Sequence, residues 1–316
     1  MIEQGTSIKR VYGANPENLA RIQEHYRGVI SSQGEVLNQF GINSELEKTN
    51  EETGIIEALD QSTNDKLSYF GLSPITISPE HVHVIAPDDL PEDTAAFYSQ
   101  FHQTIVIGRF GFNIPFIKSL YHEMIHFKAY NAVRVNEEEG KILQYRTGFT
   151  IDSPKKRYFF GLINEAVTEE LSRQFILRNL DHPLIKSEYD WMVDDLSSQQ
   201  IQKNGSVPED LFDGEGIYIP KTFRFKDQQE LVGYETFSNV TGRKALTSLI
   251  NTIDSKNTGA FGDPSEVFDL FVNAIFTGHM YELGKLIDRS FGRGTFRKIG
   301  EIQDPDELLE FVKNLQ

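Results

Sequence analysis

The sequence contains no cysteine among its 316 residues. Disulfide bridges and thiolate metal ligands are therefore excluded. A transition-metal site in this chain would have to draw its ligands from histidine, aspartate and glutamate.

Basic residues are scarce relative to acidic ones. The chain has 31 Lys and Arg against 47 Asp and Glu, which gives a formal net charge of -16. Most of such a surface would repel a phosphate backbone or an anionic lipid headgroup. We therefore expect neither nucleic acid nor a membrane among the partners.

Long apolar runs are also missing. No stretch reaches the roughly 18 consecutive apolar residues that suggest a membrane span, and the opening MIEQGTSIKR lacks a basic segment followed by an apolar one. We expect no signal peptide, no transmembrane segment and a cytoplasmic location. The composition, 39% hydrophobic and 25% charged, is that of an ordinary globular protein.

Hydrophobic periodicity predicts an α+β fold that is predominantly helical. The predicted strands cover residues 81–85, 104–107, 132–135 and 141–151, with a hairpin tip at 137–140. The predicted helices cover residues 15–40, 52–69, 114–130, 160–179, 184–202, 228–253, 265–277, 281–291 and 305–315, and a loop covers 204–216. We divide the chain into a helical N-terminal region (1–75), a core (76–182) and a helical C-terminal subdomain (183–316).

One predicted helix contains an HExxH motif, which reads HEMIH from His122 to His126. Residues four apart lie on one helix face, so both imidazoles can reach one ion. Zinc accepts neutral imidazole nitrogen and favours four ligands. Glu123 is turned about 100° from His122, which leaves it available to take a proton from water at the metal. The plainer interpretation, two solvated histidines on a surface helix, is weakened by the apolar neighbours.

A third ligand is needed. A metzincin would have glycine at 129 and histidine at 132, but this chain has Ala129 and Ala132. A glutamate on a second helix is the alternative, and Glu165 lies in a helix predicted independently from its apolar spacing. Glu169 and Asp152 are the other carboxylates we consider for this position.

The pair HEMIH and NEAVTEEL resembles the gluzincins, the thermolysin-like zinc peptidases, over about residues 80–180. The resemblance implies a zincin-like core with a small mixed sheet, an HExxH helix and a glutamate helix. It implies that Glu165 is the third zinc ligand and that Glu169 is the acid that hydrogen-bonds a zinc-bound histidine. The separation of His126 from Glu165 is longer than in that family, which the hairpin around Gly140 would explain.

The resemblance also implies a function, the zinc-dependent hydrolysis of peptide bonds in a peptide or protein substrate. An endopeptidase or oligopeptidase is favoured, because no amine-binding motif of the gluzincin aminopeptidases is visible. The strand over residues 104–110 would offer an edge to an extended peptide. Tyr234 and His279 are candidate donors to the oxyanion, although a Tyr packed on the core and a solvated imidazole are the simpler interpretations.

Two other hypotheses stay open. The chain could be a catalytically inactive zinc-binding scaffold or interaction module, although an intact Glu123 argues against that. It could also be a metal-free helical interaction protein with an accidental motif. His81 and His83 alternate on one predicted strand as a metal pair could, but without a third ligand we interpret them as a solvated strand face. No signal indicates an oligomeric state.

Overall fold

The computed structural model of the chain describes residues 8–12, 19, 22, 37–38, 40–42, 44–91, 94–136, 141–153, 157–204, 218–224, 230–236 and 238–315. These residues form an α+β fold with small sheets, as predicted. No helix in these ranges combines the length and the apolar character that crossing a bilayer would demand. The predictions for residues 15–40, 137–140 and 204–216 lie wholly or largely outside the described residues.

The elements are numbered here along the chain. The strands are β1 (Ile8–Tyr12), β2 (Val82–Ile85), β3 (Ala96–Ser99), β4 (Thr104–Gly108), β5 (Asn131–Asn136), β6 (Lys141–Thr147), β7 (Thr150–Ser153), β8 (Arg157–Phe159), β9 (Tyr218–Arg224) and β10 (Glu230–Thr236). The helices are α1 (Asn50–Tyr69), α2 (Asn113–Lys128), α3 (Gly161–Arg178), α4 (Pro183–Asn204), α5 (Val240–Lys256), α6 (Pro264–Thr277), α7 (Tyr281–Phe291), α8 (Thr295–Glu301) and α9 (Pro305–Lys313). Short 3₁₀ turns at Pro79–His81 and Pro87–Asp89 flank β2.

Three sheets are present in the described part of the chain. One has the order β1-β5-β6-β7-β8, in which β1 and β5 are parallel and the other neighbours are antiparallel. The second has the order β2-β4-β3, with β2 parallel and β3 antiparallel to β4. The third is the antiparallel pair β9 and β10.

Strand β4 lies at the centre of its sheet, and all five of its residues are buried. The expectation that residues 104–110 form an edge strand is therefore wrong. The physical reason is the additional strand Ala96–Ser99, which pairs antiparallel with β4 on the side away from β2. The antiparallel outer strand of this sheet is β3, which the sequence pattern did not predict.

Two other predicted segments are divided differently in the structure. Residues 141–151 form two strands, because Gly148 adopts a positive φ of 56° and turns the chain between β6 and β7. The predicted helix over 228–253 is wrong in its first part, where β10 pairs with β9. Leu231 and Val232 favour a strand and Gly233 weakens a helix, so helix α5 begins only at Val240.

Helices α2 and α3 pack together at the centre of the molecule. Their inward faces are apolar and buried, with Leu120, Met124 and Ile125 on α2 and Ala166 and Val167 on α3. Each face repeats at three- and four-residue spacing, as an amphipathic helix requires. The polar side chains of the candidate site lie where the two helices face each other.

Side chains from elsewhere hold both ends of α2. At its start, Phe112 offers no capping side chain, and the carboxylate of Glu188 on α4 accepts the Ile114 N–H at 2.6 Å. At its end, the Asn131 amide donates to the carbonyl oxygens of His126 and Phe127 at 3.0 Å each. The backbone groups at the two ends of a helix have no partners within the helix. These hydrogen bonds therefore supply partners at both ends of α2.

Candidate metal centre

Helix α2 places His122 and His126 one turn apart on the same face. Their Nε2 atoms lie 3.0 Å from each other, and the side chains are 16% and 12% exposed. Two ring nitrogens at this distance can share one proton or one metal ion.

Helix α3 brings Glu165 to the same point. Its Oε2 is 3.2 Å from the Nε2 of His122, and its Oε1 is 3.5 Å from the Nε2 of His126. One ligand atom from each of these residues lies within 4.8 Å of the others, so the group could hold a metal ion. The Glu165 side chain remains 46% exposed, which leaves the group accessible from solvent.

The spacing of the three ligand atoms fits a small ion. Tetrahedral coordination with metal–ligand bonds of about 2.1 Å sets neighbouring ligand atoms about 3.4 Å apart. The separations here are 3.0, 3.2 and 3.5 Å. The side chains therefore need little rearrangement to bind an ion.

Glu169 lies one turn beyond Glu165 and supports His122 from behind. Its Oε2 is 3.0 Å from the Nδ1 of His122, and its side chain is 2% exposed. Burial alone would raise the pKa of Glu169, but the hydrogen bond with His122 and the charge of Lys118 lower it to about 2. The ionised carboxylate can accept the Nδ1–H of His122. When the ring is neutral, its free electron pair is then on Nε2, where it can bind a metal ion.

The surroundings of His122 favour its protonated form while no ion is bound. Burial alone would lower the pKa of His122, but its hydrogen bonds to Glu165 and Glu169 raise it to about 10. Before any ion binds, the imidazolium satisfies the neighbouring carboxylates. An incoming cation must therefore displace this proton.

Asn164, the residue before Glu165, anchors the start of α3 beside His126. Its Nδ2 is 3.5 Å from the Nδ1 of His126, and its Oδ1 accepts the Phe149 N–H at 2.9 Å. A Cβ atom at Gly148 would collide with the Asn164 amide, so the β6–β7 turn needs glycine there. The β6–β7 turn thus packs directly against the start of α3.

Glu123 stands beside the three-residue group and is not part of it. Its side chain is half-buried, and its charge contributes to the raised pKa of His122. Such a position, next to the ligands yet outside their set, is what a base acting on water at the metal requires.

The two candidate oxyanion donors lie on other elements. Tyr234 lies on strand β10 and not near the start of a helix, as the sequence pattern had suggested. His279 is exposed between α6 and α7, and its backbone N–H donates to Thr277 Oγ1 at 3.1 Å. Among the contacts of the described residues, none joins His279 to His122 or Glu165.

His81 and His83 do not form a metal pair. His81 belongs to a 3₁₀ turn, where its Nδ1 lies 2.9 Å from Ser78 Oγ. His83 is only 3% exposed, and its Nδ1 lies 3.0 Å from Glu45 Oε2. The interpretation of both as a solvated strand face is therefore wrong for His83, because β2 is buried on both faces.

One contact of the site was missed by sequence reasoning. Lys118 reaches the Glu169 carboxylate, with its Nζ 2.8 Å from Oε1. The only signal in the sequence was its position four residues before His122, which puts both on one face of α2. A lysine at such a position is ordinarily solvated, so the pattern alone did not mark it.

A cavity of about 580 Å³ opens elsewhere, between α1, α3, α5 and α6. Lys66, Gln174, Leu246 and Phe268 are among the side chains that line it, and no member of the metal-ligand group does. The candidate site is thus not part of this cavity.

No protein-family model, curated protein or solved structure matches the chain. The likeness to gluzincins therefore rests on the HEMIH and NEAVTEEL residues alone.

Proposed function

We propose that the chain is a zinc-dependent peptidase in which His122, His126 and Glu165 hold the ion and Glu123 is the general base. One observation carries the proposal: three ligand atoms on two helices, separated by 3.0–3.5 Å, with a protein ligand set that stops at three in the described residues. Structural zinc sites use four protein ligands, whereas catalytic sites leave a position open.

The donor set supports zinc over harder cations. Two imidazole nitrogens and one carboxylate oxygen suit Zn²⁺, whereas Mg²⁺ and Ca²⁺ favour oxygen ligands throughout. The Glu169 carboxylate behind His122, with its Oε2 3.0 Å from Nδ1, supplies the outer partner that ligating histidines usually have.

The chemistry that follows is hydrolysis. Zinc held at this position would acidify water and polarise a carbonyl oxygen. Glu123 would accept the proton from the water and later donate it to the leaving amine. Glu169 would keep the proton of His122 on Nδ1, so that the ring binds through Nε2 throughout the reaction.

A peptide is the substrate class that the surroundings favour. Strand β3 is one of the two outer strands of the sheet that packs on α2, and it pairs with β4 on one side. An extended peptide can add to such an edge through main-chain hydrogen bonds. This assigns to β3 the role that the sequence pattern suggested for residues 104–110.

The test of the metal site compares zinc content in wild type and Glu165→Ala after exhaustive dialysis. We expect one zinc per wild-type chain and little in the variant, because one of three protein ligands is gone. Glu170→Ala is the matched control: it lies on the same helix and pairs with Arg173 at 2.9 Å, outside the ligand group. Equal zinc in wild type and Glu165→Ala would contradict the assignment.

The test of catalysis uses an unstructured protein such as labelled casein. Glu123→Gln should bind zinc as wild type does and lose hydrolysis by roughly 10²-fold or more, the usual worth of a general base. Full activity in this variant would exclude the mechanism. Zinc binding without any hydrolysis by wild type would favour the inactive scaffold instead.

A further inference from the structure

We propose that Lys118 is a positioning residue of the metal centre, acting on His122 through Glu169. The inference rests on the proposed function, because it assumes that an ion binds at His122. Lys118 and His122 share one face of α2. Nothing in the HExxH motif itself calls for a cation at this place.

Each oxygen of the Glu169 carboxylate has a nitrogen of a neighbouring side chain close to it. Its Oε1 lies 2.8 Å from Lys118 Nζ, and its Oε2 lies 3.0 Å from His122 Nδ1. The Glu169 and Lys118 side chains are 2% and 12% exposed. A carboxylate fixed at one oxygen has lost its freedom to rotate, so the other oxygen stays aimed at the imidazole ring.

Lys118 is itself held in place. Its Nζ donates to Ser238 Oγ at 2.6 Å, in the segment that leads into α5. The Lys118 ammonium therefore contacts both Ser238, which lies outside the metal site, and the Glu169 carboxylate. The resulting order of contacts is Ser238, Lys118, Glu169 and His122.

A positive charge near a cation site would ordinarily weaken metal binding, because like charges repel. If Lys118 acted only through its charge, its removal would strengthen zinc binding. If it acts by orienting Glu169, its removal weakens zinc binding, because the Glu169 carboxylate is then free to turn away from His122. The sign of the change thus separates the two roles.

The experiment measures the zinc dissociation constant of the full chain by competition with a chelator. We expect Lys118→Met to weaken binding about tenfold, as loss of an outer partner typically does. Lys118→Arg should stay within about threefold of wild type, since it keeps a buried donor for Glu169. Lys186→Met, which removes one partner of an exposed pair at 2.9 Å, is the control and should change nothing.

A double-mutant cycle with Glu169→Gln shows whether Lys118 works through that carboxylate. In the Glu169→Gln background, Lys118→Met should add less than about twofold to the loss of zinc affinity. Cobalt bound in place of zinc should show an altered absorption band in Lys118→Met and the wild-type band in Lys118→Arg. A lysine that merely stabilised the fold would leave both the affinity and the band unchanged in folded protein.

The outcomes distinguish this inference from the proposed function. Unchanged or tighter zinc binding in folded Lys118→Met, beside loss of zinc in Glu165→Ala, overturns the inference alone. Full additivity with Glu169→Gln overturns it as well. Absence of zinc binding in wild type overturns the proposed function and this inference with it.

Discussion

Helix α2 carries two charged networks, and they differ in completeness. At its end, Lys128 is fully buried and donates to the side-chain Oδ1 and the carbonyl oxygen of Asp60, at 2.7 and 2.8 Å. On another face, His122 and His126 meet Glu165, which is 46% exposed. The first network joins α2 to α1, and the second joins α2 to α3.

The two networks differ in the hydrogen-bond partners of their polar atoms. The Asp60 carboxylate also accepts the Ile77 N–H at 2.8 Å and the Asn64 amide at 3.2 Å, so both of its oxygens have donors. In the His122 network, the two Nε2 atoms face each other at 3.0 Å with no backbone group between them. A complete buried network stabilises a fold, whereas three ligand atoms that converge at 3.0–3.5 Å suit an ion.

The largest effect we expect comes from breaking the complete network. Asp60→Ala leaves the buried Lys128 ammonium without its carboxylate and the Ile77 N–H without an acceptor. Removing one partner of a buried ion pair costs about 3–5 kcal/mol of unfolding free energy. Urea unfolding of wild type and variant measures this loss.

Two comparisons sharpen that result. Asp190→Ala breaks the exposed Lys186–Asp190 pair at 2.9 Å and should cost less than about 1 kcal/mol. Folded Asp60→Ala should bind zinc within about twofold of wild type, because the two networks share no side chain. Equal losses of unfolding free energy in Asp60→Ala and Asp190→Ala would mean that the buried Lys128–Asp60 pair stabilises the fold no more than an exposed pair does.

The next effect concerns the incomplete network and pH. With the pKa of His122 raised to about 10 before an ion binds, zinc must expel a proton at neutral pH. Zinc affinity should therefore rise with pH, by about tenfold per unit for one proton displaced. Chelator competition at pH 6, 7 and 8 measures the slope, and proton release on mixing in weak buffer checks it. An affinity independent of pH would show that His122 is already neutral.

The parts of the site that could be predicted from the sequence are those set by local spacing. Residues 122 and 126 share a helix face because the helical period requires it, and Glu165 lies on a second helix whose apolar spacing is equally clear. The structure brings all three within hydrogen-bonding range of one another. Periodicity indicates the buried face of each helix. The choice of Glu165 came from the resemblance to gluzincins, because spacing along the chain does not say which helices pack together.

The parts that could not be predicted depend on pairing between distant segments. Nothing local in Thr104–Gly108 shows that it lies between β2 and β3, because strand order is a property of the whole sheet. The role of Lys118 depends on Glu169, 51 residues further along the printed sequence, being one side chain away in space. Likewise, Leu231 and Val232 favour a strand locally, but they do not reveal that β9 is its partner.

The smallest effect we expect tests the contact at the start of α2. Burial raises the pKa of Glu188 to about 7, although hydrogen bonds from the Ile114 and Asn113 backbone lower it. Between the ordinary pKa of about 4.5 and this raised value, the folded chain binds more protons than the unfolded chain, so stability contributed here falls as pH rises. Glu188→Gln keeps an acceptor for Ile114 without burying a charge.

We therefore expect Glu188→Gln to match wild type near pH 4.5 and to exceed it by about 1 kcal/mol of unfolding free energy at pH 8. Urea unfolding at several pH values measures the divergence, with Glu51→Gln as the control for loss of a neighbouring acid. A variant that is less stable than wild type at pH 8 would reverse the conclusion. The attraction between a carboxylate and the N-terminus of α2 would then outweigh the cost of burial, and Glu188 would be a charged cap that holds the metal-binding helix in place.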